Sequence, residues 1–230
     1  MISVIIPTEN SEARLVHTLA ALVPAAAEGM VREVVVVDGG STDNTATVAE
    51  AAGCEWLVAR KPRSDRLARG AGHSQRGDWL LFLQPETLLE TGWHHEAQTA
   101  IERAQRAGSA DRMAFSFPLK FDAFGPGARF AELSATLRSY GLGMPYANQG
   151  LLLSRRFYAE LGGHHPLPEM EDLDLVKRIG RRRLFFLRAA AVCPTPVTGE
   201  GRVTALRRAI ARFCVGTLRV PPRLLLRLHG

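Results

Sequence analysis

Arg32-Glu33-Val34-Val35-Val36-Val37-Asp38-Gly39-Gly40-Ser41-Thr42-Asp43-Asn44 is the stretch whose reading decides the fold. Four consecutive valines show no polar alternation, so the strand they predict is buried on both faces, as in a parallel sheet covered by helices. The run ends in an acid and two glycines. Ser41 to Asn44 then offer the short polar side chains that start helices, and a helix through Ala52 is the predicted continuation. Strand, acidic turn and helix form the repeating unit of open α/β sheets, which bind ligands beyond the carboxyl ends of their strands.

The same unit recurs on either side. Ser3–Ile6 is a short β-branched strand closed by Pro7. Asn10 or Ser11 caps a helix with Leu15, Thr18, Leu19 and Leu22 on one face, expected to stop at Pro24. Trp56–Ala59 is a third strand, Arg63–Gln75 a weak helix studded with arginines, and Trp79–Leu83 a fourth strand. This order predicts a doubly wound α/β sheet. Further on, the pattern predicts a helix over Gly92–Ala107, a strand over Met113–Phe121 and a turn at Gly125-Pro126-Gly127. A helix over Ala128–Leu142, a strand over Gly150–Ser154 and a helix to Leu161 come next. A loop over His164–Glu169, a helix over Glu171–Ile179 and a last strand over Leu184–Ala191 complete the domain, placed at residues 1–200.

Composition excludes several classes. With 46% hydrophobic and 23% charged residues among 230, the chain has the make-up of an ordinary folded protein, neither disordered nor fibrous. No run approaches the roughly 18 apolar residues of a membrane span. Met1-Ile2-Ser3-Val4-Ile5-Ile6-Pro7 has neither the basic start nor the small-residue cleavage site of a signal peptide. Cys54, Cys193 and Cys214 are odd in number and far apart, which argues against a disulfide framework and for a reducing, cytoplasmic setting. The net charge of +6 suggests nucleic acid until it is located. Seven arginines and no acid lie in residues 201–230, leaving 22 basic against 23 acidic residues before them. The excess thus belongs to an extension at 201–230. There Val203, Leu206, Ile210 and Phe213 fall at helical spacing among arginines, with a break at Pro221-Pro222. It reads as a peripheral membrane contact or as a helix packed on the domain or in a homodimer. Nucleic acid is not an expected partner.

No G-x-G-x-x-G, phosphate-loop lysine motif or G-x-S-x-G elbow stands after any strand. The residues at the strand ends are acidic and polar instead. Asp38, at a strand end, suits a base N–H or a ribose hydroxyl, or simply forms the turn before two glycines. Glu86 in Gln84-Pro85-Glu86 suits a divalent cation against a diphosphate, or starts the next turn. His94-His95-Glu96 lies in a predicted helix, where neighbours point about 100° apart, a poor chelate.

Ser3-Val4-Ile5-Ile6-Pro7-Thr8, Val34 to Thr45 and Arg76-Gly77-Asp78-Trp79-Leu80-Leu81-Phe82-Leu83 together resemble a family-2 glycosyltransferase of the GT-A type. Pro145-Tyr146, Asn148-Gln149-Gly150-Leu151, Gly162-Gly163 and Leu167-Pro168-Glu169-Met170-Glu171-Asp172 are similar to a compact bacterial branch of about this length. There the pattern is roughly P-Y-G-D-Q-G, then G-G-F, then L-P-x-M-E-D. The resemblance implies a nucleotide-diphospho-sugar donor, commonly UDP-linked, and an inverting transfer to a hydroxyl acceptor that no motif identifies. It implies that Pro7, Thr8 and Asn10 lie beneath the nucleotide and that Asp38 pairs with its base. Glu86 would coordinate Mg²⁺ or Mn²⁺, and Asp172, beside Glu171, would deprotonate the acceptor.

This chain departs from that pattern around the donor. Arg69-Gly70-Ala71 stands for N-x-G, Gln84-Pro85-Glu86 for D-x-D, and Asn148-Gln149-Gly150 for D-Q-G. Arg66 and Arg69 are the expected cationic help for the diphosphate, with Gln84 beside it. Asn148, Gln149, His164 and His165 are the expected acceptor side, the histidines alternatively ligating the metal or serving loop packing. The departures allow two rival readings: a protein that binds a nucleotide sugar without turning it over, or a sugar-phosphate nucleotidyltransferase. The latter usually has a basic glycine-rich loop where Thr8-Glu9-Asn10 stands.

Overall fold

The computed structural model describes residues 1–122 and 125–194. Its centre is β1 (Ile2–Thr8), every residue of which is buried. β1 lies parallel to β2 (Val31–Asp38) on one side and to β4 (Trp79–Phe82) on the other, and β3 (Glu55–Val58) extends the parallel set beyond β2. The register matches Thr8 with Asp38, so those two side chains leave the sheet at the same level. The valine run is continuous because both faces are covered: Val36 packs in one hydrophobic cluster, and Val35 and Val37 in another on the opposite face.

Beyond β4 the sheet changes direction. β8 (Leu151–Ser154) runs antiparallel to β4 and to β6 (Ala114–Ser116), and β9 (Leu184–Phe186) pairs parallel with β6. The seven strands lie in the order β3-β2-β1-β4-β8-β6-β9, a mixed sheet. A second sheet of three short strands, β5 (Leu88–Leu89), β10 (Ala191–Cys193) and β7 (Leu119–Phe121), stands beside it. The expected strand at 113–121 is therefore two strands in two sheets, separated at Phe117-Pro118, where proline has no N–H for a ladder. The expected strand at 184–191 is divided likewise between β9 and β10.

The helices obey the hydrophobic pattern with corrections at proline. α1 (Glu12–Ala27) buries Leu15, Thr18, Leu19, Leu22 and Ala25 and continues through Pro24. Proline in the last turn forfeits one backbone bond, and the buried stripe outweighs it. α2 (Thr45–Ala51) and α3 (Arg63–His73) complete the N-terminal half. Gly70 lets α3 lie close on the sheet: a Cβ there would sit 2.6 Å from Ile5 Cγ2 and 2.9 Å from Val37 Cγ2. α4 (Trp93–Arg106) starts against α1, with Trp93 Nε1 donating to the Ala21 carbonyl at 3.3 Å. α5 begins at Pro126 and ends at Thr136, and residues 137–141 form a π-helical turn in place of the expected helical end. α6 (Arg155–Glu160) and α7 (Glu171–Ile179) lie beyond β8 in the chain. The proposed extension at 201–230, with Cys214, lies outside the described residues. Among the described residues no helix is long and apolar enough to cross a membrane.

Candidate active site

The loops after β1 and β2 are joined over the carboxyl end of the sheet. Asn10, at φ +47°, accepts the Thr42 N–H at 2.9 Å through Oδ1 and donates its own N–H to Ser41 Oγ at 2.8 Å. Ser11 N–H donates to Thr45 Oγ1 at 2.9 Å and Glu12 N–H to Asp43 Oδ2 at 3.0 Å. The side chain of Asn10 is thereby engaged in holding the two loops together.

Asp38 sits at their junction, only 3% exposed. Its Oδ2 accepts the N–H groups of Gly40 at 2.8 Å and Ser41 at 2.7 Å. Its Oδ1 accepts the Thr8 hydroxyl at 3.2 Å and also the Ser41 hydroxyl. Four donors fill the four acceptor positions of a carboxylate. Asp38 organises the floor that Pro7 and Thr8 form, and a new donor reaches it only if a hydroxyl turns away.

The arginines divide differently from expectation. Arg66 is buried, its Nη1 donating to the Thr8 carbonyl at 2.8 Å and lying 3.1 Å from Glu9 Oε2. Its guanidinium rests on Gly39, where a Cβ would come within 1.9 Å of Nη1. Arg66 therefore braces the first two strand ends. Arg69 is exposed and pairs with no described residue. The arginine that lines a cavity is Arg63, on the first turn of α3.

Arg63, Gln84, Tyr146, His164 and Asp172 surround this narrow cavity of about 30 Å³, floored by Leu67, Phe82 and Val176. It opens beyond the carboxyl end of β4, where an α/β sheet binds ligands. Arg63 Nε lies 3.1 Å from Glu171 Oε1, and the Glu171 side chain is almost wholly buried. Glu171 thus anchors a cation at the cavity wall, while Asp172, half-buried, lines it. The pair begins α7 directly after Met170, whose φ of +62° is unusual for a residue with a side chain. Met170 is buried against Leu173, and that packing holds the backbone in its left-handed turn.

His164 enters the cavity as a neutral ring. Burial pushes its pKa down to about 3, helped by the charges of Arg63 and Arg178. Tyr158 Oη accepts the His164 backbone N–H at 3.0 Å and lies 2.9 Å from its Nδ1. The phenol's own proton goes to Nδ1, which leaves the imidazole hydrogen on Nε2. His165 turns to Asp174, 3.0 Å from its Oδ2, in an outer group shared with Arg178.

Of the remaining expected residues only Gln84 lines this cavity; Glu86, Asn148 and Gln149 are not among its lining residues. Gln84 lines the cavity, and the next carbonyl, Pro85, accepts the Thr18 hydroxyl at 2.8 Å, which fixes the loop. Glu86 is half-buried, makes no ion pair or hydrogen bond among the described residues, and adds its charge to the field at Cys193. Asn148 offers its carbonyl to the Thr87 hydroxyl at 3.1 Å. Gln149 is spent internally: Oε1 accepts from Ser139 Oγ and Tyr146 N–H, each at 2.9 Å, and Nε2 donates to the Phe117 carbonyl at 2.8 Å. It shapes the wall that Tyr146 presents.

The model of the Glycosyl transferase family 2 matches residues 3–118, half of the chain. The chain belongs to this family. No curated protein matches it in sequence. Among solved structures it is similar to residues 1–349 of TarS from S. aureus, with 17% identity and a TM-score of 0.64 over 99% of this chain and 69% of that one. It is also similar to glucosyl-3-phosphoglycerate synthase from Mycobacterium tuberculosis, solved with Mn²⁺, UDP and glucosyl-3-phosphoglycerate. There the identity is 21% and the TM-score 0.63, over 96% of this chain and 81% of that one. Identities this low establish the GT-A fold and leave donor and acceptor open.

Two residues that shape this cavity were not expected from sequence: Arg63, which lines it, and Tyr158, which holds His164. Arg63 was one of several arginines in a weak helix, and nothing in the spacing separates it from Arg66 and Arg69. Tyr158 acts through a contact six residues away, across the Gly162-Gly163 turn.

Proposed function

We propose that the chain transfers a sugar, with inversion, from a UDP-type nucleotide-diphosphate donor to a hydroxyl acceptor. The observation that carries this reading is Asp172 at the wall of a cavity that also holds Arg63 and Gln84, beyond the end of β4. The nucleotide would lie over Pro7, Thr8 and the Asp38 loop, with the diphosphate toward Arg63 and Gln84. Asp172 would take the proton of the acceptor hydroxyl. That oxygen forms a bond to the anomeric carbon from the face opposite the leaving group, the carbon–phosphate oxygen bond breaks, and its electron pair leaves on the diphosphate. Tyr146 and the neutral His164 would flank the acceptor.

A divalent cation held by Glu86 would accompany the diphosphate. Mg²⁺ and Mn²⁺ sites need only one or two carboxylates plus substrate phosphates, and Glu86 has its carboxylate uncommitted among the described residues. The solved synthase with Mn²⁺ and UDP supports the same cation type here. When bound, the metal would neutralise charge on the departing diphosphate. Arg63 would add fixed positive charge, held in place by Glu171. A second reading, binding without turnover, is favoured by Gln84, a neutral residue where the resemblance expects an acid.

The test is slow donor hydrolysis, measured beside UDP affinity by calorimetry. Asp172→Asn should leave the affinity within about twofold and lower turnover by roughly 10²–10⁴, the usual cost of losing a general base. Equal turnover in both proteins with intact UDP binding would favour the non-catalytic reading.

A further inference from the structure

The end of α1 and the start of α4 bring two imidazoles and a carboxylate together. Glu28 caps the end of α1, just before Gly29 turns the chain at φ +74°. His94 and His95 stand in the first turn of α4. Neighbouring helical residues are expected to diverge, yet these two rings have centroids only 4.1 Å apart. The third member is not Glu96, whose carboxylate accepts the Arg188 and Ala189 N–H groups at 2.6 and 2.8 Å. It is Glu28. His94 Nε2 lies 3.3 Å from Glu28 Oε1 and His95 Nδ1 lies 3.5 Å from Glu28 Oε2, with one ligand atom from each residue within 4.8 Å of the others.

We propose that Glu28, His94 and His95 form a binding site for a borderline transition-metal ion of the Zn²⁺ type, separate from the donor site. Bonds of 2.0–2.1 Å from zinc to nitrogen or oxygen give tetrahedral edges of roughly 3.3 Å. Each of the two observed nitrogen–oxygen separations, one to either oxygen of Glu28, is close to that edge. Two imidazoles with one carboxylate and a water is a donor set that suits zinc and disfavours magnesium or calcium, which take oxygen ligands. The two backbones and the His94 ring are held before any metal arrives. His94 is buried and Trp93 next to it is tied to Ala21, while the backbone of Glu28 is held by the bonds that end α1 and its side chain is exposed.

Two features limit the affinity. The start of α4 repels a cation, by about two- to fivefold. Nδ1 of His94 is buried with no partner among the described residues, so the ring lacks the outer hydrogen bond whose loss generally costs about 10–100-fold. A dissociation constant in the micromolar range is therefore expected. The ion would clip together helices whose ligands are 66 residues apart in sequence, so it acts on stability.

The experiment uses the full chain, without a histidine tag and stripped of metal. Zn²⁺ is titrated against a chromophoric chelator, with Co²⁺ absorption as a report on coordination. One ion per chain is expected, insensitive to millimolar Mg²⁺, with Tm raised by about 5–10 °C at a hundredfold excess over Kd. His95 and Glu28 are both exposed, so His95→Ala and Glu28→Gln should fold and should each weaken binding at least about tenfold while removing the Tm shift. Glu86→Ala should bind Zn²⁺ as the parent does. Absent Zn²⁺ binding, equal binding by His95→Ala, or loss of binding in Glu86→Ala would overturn the assignment. The last result would move the ion to the donor site.

Discussion

Replacing Asp38 by asparagine separates a residue that builds the donor loop from one that merely touches the donor. The carboxylate is buried and receives four hydrogen bonds, two from backbone N–H groups and two from hydroxyls. Asparagine retains one oxygen, enough for the Gly40 and Ser41 amides. Its NH₂ then faces Thr8 and Ser41, whose hydroxyls can turn round and accept. The geometry survives and the charge does not. A hydrogen bond to a charged group contributes about 1.5–3 kcal/mol and a neutral one about 0.5–1.5, so each backbone bond loses about 1 kcal/mol and the hydroxyl pair a little more. The sum is about 2–3 kcal/mol, or a fall in Tm of about 5–10 °C for a chain of this size. Urea unfolding should show a lower midpoint with an unchanged slope, since no surface is newly exposed. Asp38→Ala, which strands all four donors, should cost more than Asp38→Asn. The reasoning fails if Asp38→Asn is within about 0.5 kcal/mol of the parent while UDP binding is lost, because the carboxylate would then be a donor contact and not the keystone of its loop.

Gly70→Ala should destabilise by about 1–3 kcal/mol in urea unfolding despite alanine's better helix propensity, because its methyl group would drive α3 off Ile5 and Val37. UDP affinity should fall with it, since α3 carries Arg63 and Arg66. Neutral His164 makes stability depend on pH. Its folded pKa of about 3 lies below the ordinary 6.5, so the unfolded chain binds the extra proton between those values. Its contribution is complete above pH 6.5 and is lost as pH falls toward 3, at about 1.4 kcal/mol per unit. His164→Asn should flatten that slope; an unchanged slope would show that other groups set it. Burial raises the thiol pKa of Cys54 to about 11 and of Cys193 to about 12. In a Cys214→Ser background, native protein at pH 7.5 should alkylate far more slowly than urea-unfolded protein, and comparable rates would contradict the burial.

The N-terminal half was legible because its signals are local. A valine run has one good home, a strand covered on both faces, and an acid with two glycines after it marks the carboxyl end. The helix Glu171–Ile179 was equally readable, since acids open it and Gly180 closes it. The splitting of 113–121 and 184–191 between two sheets was less visible, because each segment reads as one apolar run. Only the partners, β8 and β5, decide where each half pairs. At the site, Asp172 and Gln84 meet at the cavity from the expected motifs, whereas the three arginines of α3 differ only in which way the helix is rotated against the sheet. Gln149 carries a motif whose role in this fold is internal, something that only its three side-chain hydrogen bonds reveal.

Those bonds have a consequence for how such a protein diversifies. The stretch between β7 and β8 is fastened at its far end by Gln149, which reaches the Phe117 carbonyl, and near its start by Glu132, which accepts the Phe121 N–H at 2.9 Å. Between these two moorings the chain contributes Tyr146 to the cavity but no strand to the main sheet. It is a segment fastened at both ends and free of the main sheet's register among the described residues. A change in its length or side chains would therefore alter the wall that Tyr146 presents to the cavity while β1, β2 and β4 keep their register.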